Sequence, residues 1–403
     1  MAKPLTFLCI NGEFKGLDFL RECKQAGNKV YLVTSKSLEH KPWPREYLDD
    51  IFFMEDKVKQ VWNMDDLVKG LAYFMRENPI DIIVALDDFD VEKAAHLREH
   101  FRIPGMGETT CRYFRDKLAM RIKAQREGVK VPAFTSLFYN DKINEFAQTV
   151  SPPWVVKPRG EASAAGIKKV HSAEELWNVI NSLGEERHNF LVEQFKPGDV
   201  YHVDSLTVDG KVVFSQVAKY LSTPLEVASG GGIFRSHTVE YGSSDDKELQ
   251  KFNKEVMKAF GMQFSASHTE FIKCHDDGKF YFLETASRVG GAHLSEMVEA
   301  ASGISLWAEW ARMETAVIRG EKYKLPKVQK NHAGIVVSLA RFQHIDDSAF
   351  NDKEIVWRLK KDYHIGLIVK DKKRERILEL LDDYAEKVGK DFHAVGETKD
   401  TAH

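Results

Sequence analysis

Glu270-Phe-Ile-Lys-Cys-His-Asp-Asp-Gly-Lys-Phe-Tyr-Phe-Leu-Glu284 reads as two β-strands joined at Asp276-Asp277-Gly278. A three-residue hairpin loop with glycine in the left-handed position is a favoured connection. Closing the hairpin there pairs His275 with Lys279 and, counting outward, Glu270 with Glu284. Residues so opposed share a face, with Cβ atoms roughly 5 Å apart. Two ionised carboxylates in that position repel unless a cation bridges them or one takes a proton. Mg²⁺ favours such an all-oxygen ligand set. A two-residue turn at Asp277-Gly278 would instead put the glutamates on opposite faces.

Magnesium sites with one or two carboxylates commonly hold a phosphorylated ligand as well, so phosphate-binding groups are the next feature to seek. Arg288 follows Glu284 by four residues and precedes Gly290-Gly291. Its guanidinium suits phosphate or carboxylate. Upstream, Trp154-Val-Val-Lys157-Pro-Arg159 reads as a buried strand that delivers Lys157 at its end. The small-residue loop Gly160-Glu-Ala-Ser163-Ala-Ala-Gly166 follows, and small residues let backbone N–H groups approach phosphate oxygens. The chain contains neither G-x-x-x-x-G-K-[ST] nor G-x-G-x-x-G; Gly105-Met-Gly107-Glu-Thr-Thr110 only approaches the latter.

In this order the motifs resemble the ATP-grasp superfamily, in particular its carboxylate–amine ligases of the L-amino acid ligase type and the related biotin-carboxylase-like proteins. The resemblance covers nearly the whole chain. Arg115-Asp-Lys117-Leu-Ala-Met120 with Glu127-Gly-Val-Lys-Val-Pro132 looks like the family's "DK…M…GVPVP" segment. It implies that Lys117 and Lys157 bind nucleotide phosphates under a loop containing Ser163 and Gly166. Phe190-Leu-Val-Glu193-Gln194-Phe195 looks like the hinge, where Glu193 and neighbouring backbone hold adenine; His202 or Asp204 then reaches the ribose. Glu270 and Glu284 match the two metal ligands and Arg288 the catalytic arginine. The implied cofactors are ATP and Mg²⁺. The implied reaction is ADP-forming: a substrate carboxylate becomes an acyl phosphate, which an amine, that of an amino acid, converts to an amide. Lys157 and Arg288 are the catalytic cations. Arg235, His268, Gly290 and Gly291 are candidates for substrate contact.

One position departs from the family run Glu-x-Asn-x-Arg: Ala286 stands where asparagine supplies a further metal ligand. That departure favours a competing reading, a catalytically weak ATP-binding module, while the retained Arg288 opposes it. A biotin-carboxylase-like carboxylase is the other competitor; the absence of an Ala-Met-Lys-Met motif means that it would need a separate carrier.

The expected architecture is α/β followed by α+β. An N-terminal Rossmann-like (pre-ATP-grasp) domain spans residues 1–112. ATP-grasp nucleotide-binding lobes span 113–325, with a lid at about 130–190. A C-terminal α+β portion, 326–403, completes the second lobe. Runs such as Leu5–Ile10, Val30–Val33 and Ile80–Leu86 alternate with helical stretches, which implies a parallel sheet. Ligands of such sheets lie beyond the strand C-termini, here Asn11, Gly12, Asp87 and Asp88. With 58 basic and 61 acidic residues the net charge is −3, so nothing points to electrostatic nucleic-acid binding. Four scattered cysteines read as reduced, and no apolar run has the length of a membrane span. A cytoplasmic enzyme acting on small-molecule carboxylate and amine substrates, as a homodimer, is the resulting expectation. Bland readings compete at several positions. Lys117 lies on a charged helix face with Arg115, Arg121 and Lys123, which reads as solvent-exposed, and Ser229-Gly-Gly-Gly232 reads as a flexible surface loop.

Overall fold

The computed structural model describes residues 4–56, 58, 61–162 and 165–395. Thr6–Asn11, Lys29–Ser35, Asp50–Met54 and Ile82–Ala85 form a parallel sheet in which Thr6–Asn11 lies between Lys29–Ser35 and Ile82–Ala85. Thr6–Asn11 and Ile82–Ala85 are buried along their whole length, as a parallel sheet covered on both faces requires. The covering helices include Leu17–Gln25, Met64–Phe74 and Val91–Phe101. Asn63 starts the second of these by accepting from the amides of Asp65 and Asp66.

A four-stranded antiparallel sheet follows, ordered Phe134–Ser136, Phe190–Gln194, Trp154–Pro158, Lys168–Val170, with helices Asn140–Thr149 and Ala173–Leu183 packed on it. The third sheet has eight antiparallel strands. Its edge is Phe280–Ala286, followed inward by Ser265–Cys274, Gly198–Val208, Lys211–Tyr220 and Phe234–Thr238. His332–Leu339, His364–Asp371 and Ile355–Arg358 complete it, so the C-terminal strands extend the same sheet. The short strand Ile355–Arg358 carries no sequence alternation that announces it. The glycine triplet is not a simple loop either: Thr223 and Glu226 form a capping box for the helix Pro224–Gly230, which Gly231 ends at φ +60°.

The Glu270–Glu284 hairpin reaches its pairing by a route different from the expected one. Cys274 N–H donates to the Lys279 carbonyl and Gly278 N–H to the Cys274 carbonyl, both at 2.9 Å, so the loop is the four residues 275–278. Lys273 then opposes Phe280, and His275 does not pair with Lys279. Continued regularly, that register would set Glu270 against Leu283 and turn Glu284 to the other face. A β-bulge at Leu283 absorbs one residue, and Glu270 opposes Glu284 after all. The carbonyl of Leu283 accepts from Arg121 Nη1 at 2.5 Å.

Candidate functional site

The four-stranded and eight-stranded sheets enclose a cavity of about 770 Å³. Two positively charged elements enter it from one side. Helix Lys117–Arg126 begins at Asp116, whose side chain accepts from the amides of Leu118 and Ala119. Asp116 also accepts from Arg159, and Lys117 N–H donates to the Arg159 carbonyl. This ties the helix start to the end of strand Trp154–Pro158, so Lys117 and Lys157 are fixed relative to each other. Lys117 Nζ reaches Glu284 Oε2 at 2.8 Å and the Glu161 carbonyl at 2.5 Å. Lys157 Nζ contacts Glu193 Oε1, and Arg121 Nε contacts Glu193 Oε2 at 2.9 Å.

Arg121 was read as one of several charges on a solvated helix stretch, yet it is fully buried. The missed signal is its spacing: i and i+4 place it on the face of Lys117, while Lys123 turns outward to Glu127. Burial pushes the Lys157 ammonium down to about 8, against the opposing pull of Glu193. Burial would raise the Glu193 carboxyl, but Arg121 and Lys157 outweigh it and hold the group below its ordinary value.

The opposite wall is acidic. Glu284 lies beside Lys117; burial would raise its carboxyl, but Lys117, then Lys157 and Arg121, hold it at about 2. Glu270 Oε1 accepts from the Tyr220 hydroxyl at 2.8 Å and lies 3.6 Å from His268 Nε2. His268 Nδ1 is 2.9 Å from Asp204; burial would lower the imidazole, but Asp204 and Glu270 together lift it to about 10. Gly290 permits this packing, because a Cβ there would lie 2.7 Å from Asp204 Oδ1 and 3.0 Å from His268 Nδ1. Ala286 opposes His268 across the ladder and brings no donor. Two same-face carboxylates, each with one oxygen engaged by a protein donor in the described contacts, suit one hard divalent cation completed by water and phosphate.

Several expected contacts are redirected. Both oxygens of Glu193 are committed to cations, so its side chain is not free to grip adenine; Gln194 and Phe195 beside it line the cavity. His202 does not reach the cavity: it is fully buried, with its ring nitrogens on Asp204 and Ser236. Arg235 points the other way, to Asp382 of the C-terminal helix at 2.7 Å, while its neighbour Phe234 lines the cavity. The alternation of a strand explains this: adjacent residues take opposite faces. Gly166 adopts φ +68° between the lining residues Ala165 and Ile167. Ser163 lies outside the described residues. His268, Gly291 and Arg288 line the cavity, and Arg288 is bound to Asp88, in the turn that follows strand Ile82–Ala85 of the N-terminal sheet.

Residues 150–296 match the ATP-grasp domain family. The L-arginine-specific L-amino acid ligase of Bacillus subtilis is 25% identical over 313 residues, covering 75% of this chain and 73% of that protein. A D-alanine–D-alanine ligase of Christiangramia forsetii is 26% identical over 234 residues, 52% of this chain and 68% of that protein. The crystal structure of an L-amino acid ligase from Bacillus licheniformis superposes with a TM-score of 0.72 at 18% identity, over 98% of this chain and 100% of that one. Biotin carboxylase from Campylobacter jejuni shares the fold at a TM-score of 0.69 and 15% identity, over 93% and 90%. Two lysines and two opposed glutamates line the one cavity between these sheets, and residues 150–296, which carry Lys157, Glu270 and Glu284, match the ATP-grasp domain.

Proposed function

We propose that the protein is an ATP- and Mg²⁺-dependent carboxylate–amine ligase that activates a substrate carboxylate as an acyl phosphate and joins it to the amine of an amino acid. The observation that carries this reading is the charge division of one cavity: Lys117, Lys157 and Arg288 converge on the wall that bears Glu270 and Glu284. The same reading divides the chain after residues 112 and 325, with the nucleotide between the two later sheets. Backbone at Gln194–Phe195 lies beside the adenine, and Lys117 and Lys157 hold the phosphate tail. Glu270 and Glu284 would hold magnesium, which would supply charge neutralisation for phosphoryl transfer. Arg288 orients the attacking carboxylate and stabilises the developing acyl phosphate. Such transfer needs positioning and charge neutralisation rather than a protein nucleophile. The cavity's apolar residues, among them Val155, Ile272 and Leu283, limit access of water to the intermediate.

Phosphate release is to be measured with ATP and Mg²⁺ across pools of amino acids and small carboxylates, with bicarbonate as a separate arm. Release that depends on a carboxylate and an amine, with amide product, is the expected result. Release with bicarbonate alone would instead support a carboxylase, and none in any arm would leave a nucleotide-binding module.

A further inference from the structure

Three acids follow the strand Ile82–Ala85, and their surroundings differ. Asp87 caps the Phe89 amide and pairs with Lys15. Asp90 accepts from Gly12 N–H and from Lys93. Asp88 lines the cavity and is 93% buried, being 7% exposed. Arg288 places both Nε, at 2.8 Å, and Nη2, at 2.5 Å, on Oδ2 of Asp88. Its Oδ1 is buried, with no hydrogen-bond partner among the described residues. A fork-to-fork arginine–carboxylate pair uses both oxygens. This one leaves an acceptor unfilled, and a buried polar atom without a partner is costly unless something arrives to satisfy it. The result is an anion with a spare acceptor directly beside a cation on the wall of the cavity. An α-amino acid has the complementary form, with ammonium and carboxylate attached to the same carbon.

Building on the ligase reading, we propose that Asp88 is the specificity-determining residue for the acyl donor: its Oδ1 receives the α-ammonium of an amino acid whose carboxylate lies against Arg288. A plain carboxylic acid offers Oδ1 no donor and leaves it unsatisfied. The N-terminal sheet thereby takes part in substrate choice.

The test uses the full chain saturated with Mg²⁺ and a non-hydrolysable ATP analogue. Calorimetric affinities for the twenty common L-amino acids are compared with those for des-amino acids: propionate against alanine, 4-methylpentanoate against leucine, 3-phenylpropionate against phenylalanine. The parent protein should prefer at least one amino acid to its des-amino form by about 10- to 100-fold, the range of a hydrogen bond to a charged group. Asp88→Asn should bring that ratio close to one. Thermal unfolding and analogue binding check the variant's fold, and Asp88→Ser serves as a second variant. Equal affinity of the parent for both members of every pair overturns the proposal without any variant. So does an Asp88→Asn protein that keeps the ratio. Tighter amino-acid binding by Asp88→Asn also overturns it, because Asp88 would then compete with the substrate for Arg288. Phosphate release separates the two readings. Turnover of des-amino acids as fast as amino acids sinks this proposal and keeps the ligase; selective binding without phosphate release does the reverse.

Discussion

Two charged centres face each other across the cavity, and they are built on opposite terms. At the hinge, Arg121 and Lys157 share the single carboxylate of Glu193, so cations exceed anions. At the ladder, Glu270, Glu284 and Asp204 meet Lys117 and His268, so acids are in excess. Each centre alone is an unbalanced buried cluster, which is costly to fold. Together they suit a ligand that is negative where it meets Lys157 and brings positive charge to the ladder, as the proposed polyphosphate with a divalent ion would. The hinge centre is closed and structural on one side, because Arg121 is wholly buried; the ladder centre opens to the cavity through Glu270 and Glu284.

Breaking the hinge centre should have the largest effect. Arg121→Leu leaves Glu193 with one cation and removes the donor to the Leu283 carbonyl. Loss of one member of a buried ionic network costs about 3–5 kcal/mol, readable as a lower urea midpoint. A midpoint within error of the parent would mean that the hinge does not depend on Arg121. Arg288→Ala tests the ladder side of the cavity. It should lower kcat by about 10²-fold, the loss of one transition-state contact, while ATP affinity stays near that of the parent. Lys157→Ala should show the reverse pattern, with weaker ATP binding. Loss of ATP affinity in Arg288→Ala with full turnover at saturation would exchange the two roles.

Acidity sharpens the contrast further. Burial lowers Lys157 to about 8 in the free protein. Its charge is therefore present below that pH and lost above it. Nucleotide affinity should hold from pH 6 to about 8 and then fall, by at most about tenfold per unit. Lys157→Met should give weak binding with that inflection removed; an unchanged inflection would assign it to another group. The smallest effect is expected at the ladder's vacant ligand position. Ala286→Asn adds an oxygen ligand opposite His268 and should lower the Mg²⁺ concentration for half-maximal rate by a few-fold, below the roughly 10–100-fold that established supporting contacts command. An unaltered Mg²⁺ titration would show that another group already completes the site.

The chain's own order of motifs made the ATP-grasp fold legible, because small-residue turns, strand ends and paired acids are local features. Lys117, Lys157, Glu270 and Glu284 do line one cavity, as the family resemblance implied. What stayed hidden is non-local. Nothing near Leu283 announces a bulge; it exists because the loop 275–278 sets one register and the rest of the ladder another. Glu193 was legible as a hinge residue, but its commitment to Arg121, 72 positions away, depends on how helix Lys117–Arg126 packs. Asp88 meets Arg288 from 200 residues away, and only the assembled sheets bring them together. Arg235 failed for a simpler reason: it reads as part of a glycine-rich loop, whereas it lies in strand Phe234–Thr238, whose alternation turns it away from Phe234's face.

The Leu283 bulge has a mechanical consequence. One guanidinium grips the carbonyl at the bulge with Nη1 and the hinge carboxylate with Nε, and it is carried on the helix that begins with Lys117. Helix, hinge strand and edge strand are thus coupled like parts on one axle. A movement that spreads the two sheets must either carry all three together or break a bond to Arg121, so Lys117, Glu193 and the edge strand that bears Glu284 adjust as a single degree of freedom.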